Sequence, residues 1–227
     1  MSMEIKSSPD HENEAVFQQN RLPARSFFRD DSSVSINGSW EFHYSSSPVE
    51  APSIAECWNR AQEWSKIDVP GHWQVQGYGH PHYTNVQFPF PVDPPYVPSR
   101  NPTGTYYTQF DAPASFKKGS AVRLRFLGVD SAFHVYLNGK EIGYHQGSRN
   151  VAEFDITKVF KDNVPNSLLV RVYQWSDASY IEDQDQWWLS GMALSGTNMT
   201  ILTSPQGYSV MLTFWCSHLR DTSKTVR

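Results

Sequence analysis

A chain of 227 residues with a formal net charge of −4 and no run of Lys or Arg is long enough for one large domain with a sizeable core, and it lacks the electrostatic footprint of a partner for nucleic acid or an anionic membrane. No apolar run approaches the roughly 18 residues of a membrane span and the N-terminus holds no apolar signal core, so the expected location is cytoplasmic. Cys57 and Cys216 lie far apart and form neither a disulfide framework nor a metal-ligand spacing; both are expected as free thiols.

Residues 1–30 are polar, are broken by Pro9 and Pro23, and follow neither helical nor strand periodicity. They read as an extended arm lying across something larger. Asn37-Gly38 then turns the chain into a strand in which Ile36, Trp40, Phe42 and Tyr44 share the even positions. Cys57, Trp58, Ala61 and Trp64 recur at spacings of about three to four and predict a short amphipathic helix over 54–64. From Pro70 to Pro102 prolines alternate with His, Trp, Tyr and Phe, which excludes a helix, argues against a central strand and predicts a long ordered loop. Within it, His80-Pro81-His82 reads either as a metal pair or as ordinary packing. Asn85, a donor and acceptor among rings, suits either hydroxyl recognition or an Asx turn.

The clearest β signal follows. Strands are expected over 104–111 and 121–127, the second with Val122, Leu124 and Phe126 alternating with Arg123 and Arg125. Asn138-Gly139 between alternating runs predicts a hairpin, because both central residues of its turn favour positive φ. A helical turn capped near Asp155 is expected over 154–160, and a strand over 167–173. That strand runs into Trp175 to Gly191, where Asp177, Glu182, Asp183 and Asp185 stand among Trp175, Tyr180, Trp187 and Trp188. Two readings compete for this stretch. One is a sugar surface, rings against C–H faces and carboxylates accepting hydroxyls; the other is an acidic turn whose tryptophans face the core. Short strands, frequent turns and little helix describe an all-β fold, a β-sandwich of jelly-roll type.

Several segments then carry a resemblance: Asn20-Arg21-Leu22-Pro23-Ala24, Gly38-Ser39-Trp40-Glu41-Phe42, Val69-Pro70-Gly71-His72-Trp73-Gln74, Tyr83-Thr84-Asn85-Val86, Asn101-Pro102-Thr103-Gly104 and Trp175-Ser176-Asp177 through Asp183-Gln184-Asp185. In this order they resemble the N-terminal domain of the β-galactosidases of glycoside hydrolase family two, over about Asp10 to Gly191. The resemblance implies a galactose-binding-like jelly roll over 31–205, behind the arm and ahead of an atypical tail at 206–227. It implies that Asn85 and Asp185 reach into the substrate pocket of a separate catalytic barrel, where Asp185 also helps hold a monovalent cation, while Glu182 and Asp183 are structural. The partner implied is a β-galactoside such as lactose. Magnesium, sodium and assembly as a homo-oligomer are implied for the full-length enzyme, and no cofactor for this chain alone.

No catalytic residue is assigned in this chain. A retaining glycosidase needs two carboxyl groups about 5–5.5 Å apart flanking one bond, whereas Asp183 and Asp185 on an extended segment would stand about 7 Å apart and project in parallel. The domain alone is therefore expected to be inactive. After Gly191 the sequence leaves the family pattern, with Met199 to Pro205 able to supply a closing strand and Tyr208 to Cys216 apolar and uncharged. This suggests a truncated or misread product. A free-standing carbohydrate-binding module and a complementing fragment whose arm docks on another subunit remain as alternatives.

Overall fold

Period-two alternation divides the strands between a shared core and two outer faces. A computed structural model describes residues 8–24, 33–59, 64–80, 82–83, 87–112, 116, 118–182, 189–190 and 200–204. The elements in chain order are β1 (Gln18–Gln19), β2 (Ser33–Ser35), β3 (Gly38–Ser45), α1 (Ile54–Asn59), β4 (Ser65–Val69), β5 (His82–Tyr83), β6 (Thr103–Phe110), β7 (Ala121–Phe126), β8 (Ala132–Leu137), β9 (Lys140–Gln146), β10 (Ala152–Asp155), β11 (Asn166–Tyr173), α2 (Ser179–Glu182), β12 (Leu189–Ser190) and β13 (Thr200–Ser204). One sheet runs β1-β9-β8-β11-β6-β3-β4, a second runs β10-β7-β13-β2, and every pairing within them is antiparallel. The expected jelly-roll β-sandwich is the fold observed. The closing strand anticipated near 199–205 is β13, lying between β7 and β2.

The core sits between the two sheets. Leu168, Val170 and Val172 of β11 meet Val122, Leu124 and Phe126 of β7 there, with Trp40 and Phe42 of β3 and Phe133 and Val135 of β8 beside them. Their strict alternation fixes register, since a slip of one residue would turn each apolar set outward. The predicted hairpin joins β8 to β9, with Asn138 at φ 52° and Gly139 at φ 83°. The Asn138 amide also donates to Val159 O at 2.9 Å and accepts from Ser167 N at 3.0 Å, so the turn is tied to the start of β11.

Two expectations need correction. The helix predicted over 54–64 is seen as α1 to Asn59, and residues 60–63 lie outside the described residues; Trp64 stands outside the helix, just before β4, because the strand pairing of Ser65–Val69 with β3 claims the chain there. The helical turn predicted over 154–160 begins later. Phe154 belongs to β10, opposite Leu124 and buried in the core, and the turn starts at Ile156 with Thr157 N donating to the Asp155 carboxylate at 2.9 Å.

The outer face of β7 is not open to solvent at Arg125, which is 1% exposed. Arg125 Nε donates to Glu153 Oε2 at 2.7 Å, and Arg123 Nη1 meets Glu153 Oε1 at 3.2 Å. On the outer face of the larger sheet, α1 covers one end, packing Cys57 against Tyr107 and Leu169. Burial raises the Cys57 thiol pKa above its ordinary value, which favours the protonated form. Over the other end lies the arm. Residues 8–24 pair through β1 with β9 and reach β10 through Leu22 N donating to Glu153 O at 2.8 Å.

Candidate functional site

The acid-aromatic stretch begins where β11 ends, and an amide side chain fastens it to the Pro-rich loop. Asn101 Nδ2 donates to Trp175 O and Trp175 N donates to Asn101 Oδ1, both at 2.8 Å. Asn101 is 1% exposed, so its carboxamide takes the place that a neighbouring strand's peptide would otherwise fill. Asn101→Ala is expected to cost about 2 kcal/mol in urea unfolding, the scale of buried backbone groups losing their partner. Sequence reasoning gave Asn101 no role. A buried Asn facing a strand's end leaves no periodic signal.

Aromatic rings then join the two segments. Trp175, 4% exposed, packs edge-on against Phe90 at 5.2 Å and lies 5.6 Å from the His82 ring. Tyr180 of α2 packs on Phe88 and Phe90 at 5.4 and 5.8 Å; its hydroxyl accepts from Asp93 N at 3.2 Å and donates to Tyr96 O. Trp175 therefore takes the inward-facing reading of the stretch, while Trp187 and Trp188 lie outside the described residues. His82 is engaged in packing, and burial first, then His80, lowers its pKa and favours the neutral ring. Among the described residues no group of three His, Cys, Asp or Glu is placed to hold a metal ion.

The acids have separate environments. Glu182 accepts from Ser148 N at 3.0 Å and from Ser148 Oγ at 2.6 Å, which anchors α2 to the turn after β9, a structural role. Asp177 is half-buried, and burial raises its carboxyl pKa above the usual range. Beside α2 opens a cleft of about 730 Å³ whose walls include Phe17, Pro94, Pro95 and Ile181, with Glu14 and Asp177 among its polar groups.

Asn85 and Asp185 both lie outside the described residues, as does Asp183. Their flanks are described, and they meet. β5 pairs antiparallel with β12, Tyr83 opposite Leu189 and His82 opposite Ser190. Asn85 follows β5 by two residues and Asp185 precedes β12 by four. Thus β5 and β12, about a hundred residues apart in sequence, lie together beside Trp175 at the end of β11, and the ends of the strands are a usual place for this architecture to present a ligand site.

An antiparallel sandwich with its aromatic and acidic segments brought together beside the end of β11 defines the class of domain. The chain belongs to glycosyl hydrolases family 2: the model of that family's sugar binding domain matches residues 34–203. It is similar to the β-galactosidase of Kluyveromyces lactis, 45% identical over 185 residues, covering 79% of this chain and 18% of that protein. The β-galactosidase of Alteromonas mediterranea is 39% identical over 219 residues, covering 89% and 21%. The chain thus spans about a fifth of the length of these relatives. Among solved structures, a Faecalibacterium prausnitzii β-glucuronidase matches with a TM-score of 0.55 at 17% identity, over 82% of this chain and 33% of that one, a likeness of fold alone. Among the described residues no helix is long and apolar enough to cross a membrane.

Proposed function

We propose that this chain is the sugar-binding domain of a retaining β-galactosidase, contributing Asn85 and Asp185 to the binding of terminal β-galactosides such as lactose, while the acid and nucleophile lie in a barrel outside it. The pairing of β5 with β12 is the observation that carries this reading, because it brings the flanks of both residues together. The similarity to β-galactosidases supports the substrate class. Neutral and charged acceptors of the Asn and Asp type suit a sugar's hydroxyl rim, and the hard carboxylate oxygen of Asp185 suits a monovalent cation shared with the barrel. Magnesium belongs, in this reading, to the barrel. So do homo-oligomeric assembly and cytoplasmic location belong to the whole enzyme.

The test is a chimera in which this chain replaces the matching N-terminal fifth of the Kluyveromyces lactis enzyme. Asp185→Asn is expected to lower kcat/KM for a nitrophenyl galactoside by about 10–100-fold, the equivalent of a charged hydrogen bond of about 1.5–3 kcal/mol, and to abolish any dependence of KM on sodium. Asn85→Ala is expected to cost about tenfold. Unchanged kinetics in both variants would remove the assignment. The unfused chain is expected to show no hydrolysis and only weak lactose binding by calorimetry; tight binding by the unfused chain would favour a free-standing module.

A further inference from the structure

The arm is held to the larger sheet by a cluster of titratable groups that the sugar-binding reading does not use. Asp10 Oδ2 faces His134 Nε2 of β8 at 3.0 Å and accepts from Gln19 Nε2 at 2.8 Å. The other ring nitrogen of His134 pairs with the Tyr173 hydroxyl of β11 at 3.1 Å. His11, 7% exposed, stacks flat on Tyr173 with ring centroids 4.4 Å apart, and its carbonyl accepts from Asp177 N at 2.9 Å. We propose that His11, seated on Tyr173 beside the Asp10–His134 pair, is an acid-sensitive latch whose protonation releases residues 8–24 from the sheet.

The surroundings explain the direction. His11 faces His134 and Asp10; burial and the neighbouring imidazole disfavour its cation, and the Asp10 carboxylate only partly offsets them, leaving a pKa of about 4. Around His134 the charged neighbours are Asp10, Glu141 of β9 and Arg171 of β11, and burial again wins, lowering its pKa. The Tyr173 and Tyr144 hydroxyls stay neutral, both pushed up mainly by burial. His11 is therefore neutral when the arm is seated and ordinary when it is released, so the released state binds more protons below about pH 6.5. Seating weakens as pH falls from 6.5 and the loss levels off below about 4. Between pH 7.5 and 5.0, a His with pKa 6.5 released and about 4 seated shifts the opening equilibrium by roughly 30-fold. The arm contributes Glu14 and Phe17 to the cleft beside α2, so its release also dismantles one wall of that cleft.

Amide hydrogen exchange on the full chain tests the latch. Leu22 N and Asp177 N bond across the arm boundary, to Glu153 O and His11 O, whereas Val170 sits in the core. After correction for intrinsic rates, opening at Leu22 and Asp177 is expected to rise roughly 30-fold from pH 7.5 to 5.0 with Val170 still more protected than either. His11→Phe keeps a ring on Tyr173 without a titrating group and is expected to lose most of that rise. Equal protection at the two pH values, or His11→Phe opening as the parent does, would overturn the latch. Asp10→Ala supplies an independent release, because it removes the carboxylate that accepts from Gln19 Nε2 and faces His134 Nε2 without touching the core between the sheets. It is expected to expose Leu22 and Asp177 at pH 7.5 while Val170 stays protected; simultaneous loss at Val170 would show that arm and sandwich open as one unit and would overturn the proposal.

Discussion

Trp73→Ala is expected to lower the unfolding free energy by about 3–5 kcal/mol, the range for emptying a buried aromatic site. Trp73 is fully buried, and its ring stacks with Tyr106, tilts against Phe42 at 6.0 Å and meets Tyr44 edge-on at 5.9 Å. The sheet makes room for it at Gly104, where a Cβ would stand 2.3 Å from Trp73 Cζ3. A glycine within a strand such as β6, where Gly104 is the second residue, is otherwise unfavourable, so its presence reflects this close approach. Trp73 begins the turn 73–76 within the loop that leads to Asn85. Its loss is therefore expected to loosen that segment as well as the core. Urea unfolding followed by circular dichroism checks the magnitude, and a fall in melting temperature of roughly 10 °C should accompany it. Among the described residues the indole N–H has no hydrogen-bond partner, so Trp73→Phe should cost clearly less than Trp73→Ala. Equal losses for the two would show that ring volume is not what matters here.

Removing Glu153 should be comparably damaging for a different reason. Glu153→Ala takes away the carboxylate that meets both Arg123 and Arg125 while leaving Arg125 buried. Breaking a buried ion pair from one side costs about 3–5 kcal/mol, because the buried guanidinium keeps its desolvation penalty and loses the Glu153 carboxylate. The double variant Glu153→Leu with Arg125→Met should recover much of this loss, since an apolar pair of similar volume pays no such penalty. A thermal melt of the single and double variants decides it. If the double variant is less stable than the single one, the cost lies in packing and not in charge. Glu153 O also accepts from Leu22 N, and this bond is retained in every variant because it is a backbone contact.

Much of the sandwich was legible in the residues themselves. Val122, Leu124 and Phe126, then Leu168, Val170 and Val172, alternate because one face of each strand is buried, and that signal survives in a single sequence. Asn138-Gly139 announces its turn because few other pairs accept positive φ twice. The helix expected from Ile54 is present as α1, but Trp64 at its expected end stands outside it, where local spacing met a non-local demand, the pairing of Ser65–Val69 with Gly38–Phe42. Phe154 was misassigned for the same reason: its partner Leu124 lies across the sheet, not along the chain. For the site, the aromatic content of the Pro-rich loop and the acids after Trp175 singled out two segments that Phe90, Trp175 and Tyr180 bring together, but not their contacts.

By itself the sequence determined which faces of the strands would be apolar, where the chain would turn, and, through ordered motifs from Asn20 to Asp185, the family. These are local or linear properties, set by side-chain alternation and by turn residues with special φ. Tertiary structure alone decided that Asn101 would brace Trp175, that His82 and Phe90 would pack on Trp175, that Arg125 would be buried with Glu153, and that His11 and Asp10 would meet Tyr173 and His134. Each of these depends on residues distant in sequence being brought within a few ångströms, where burial, and not residue type, sets the strength of a charge or hydrogen bond.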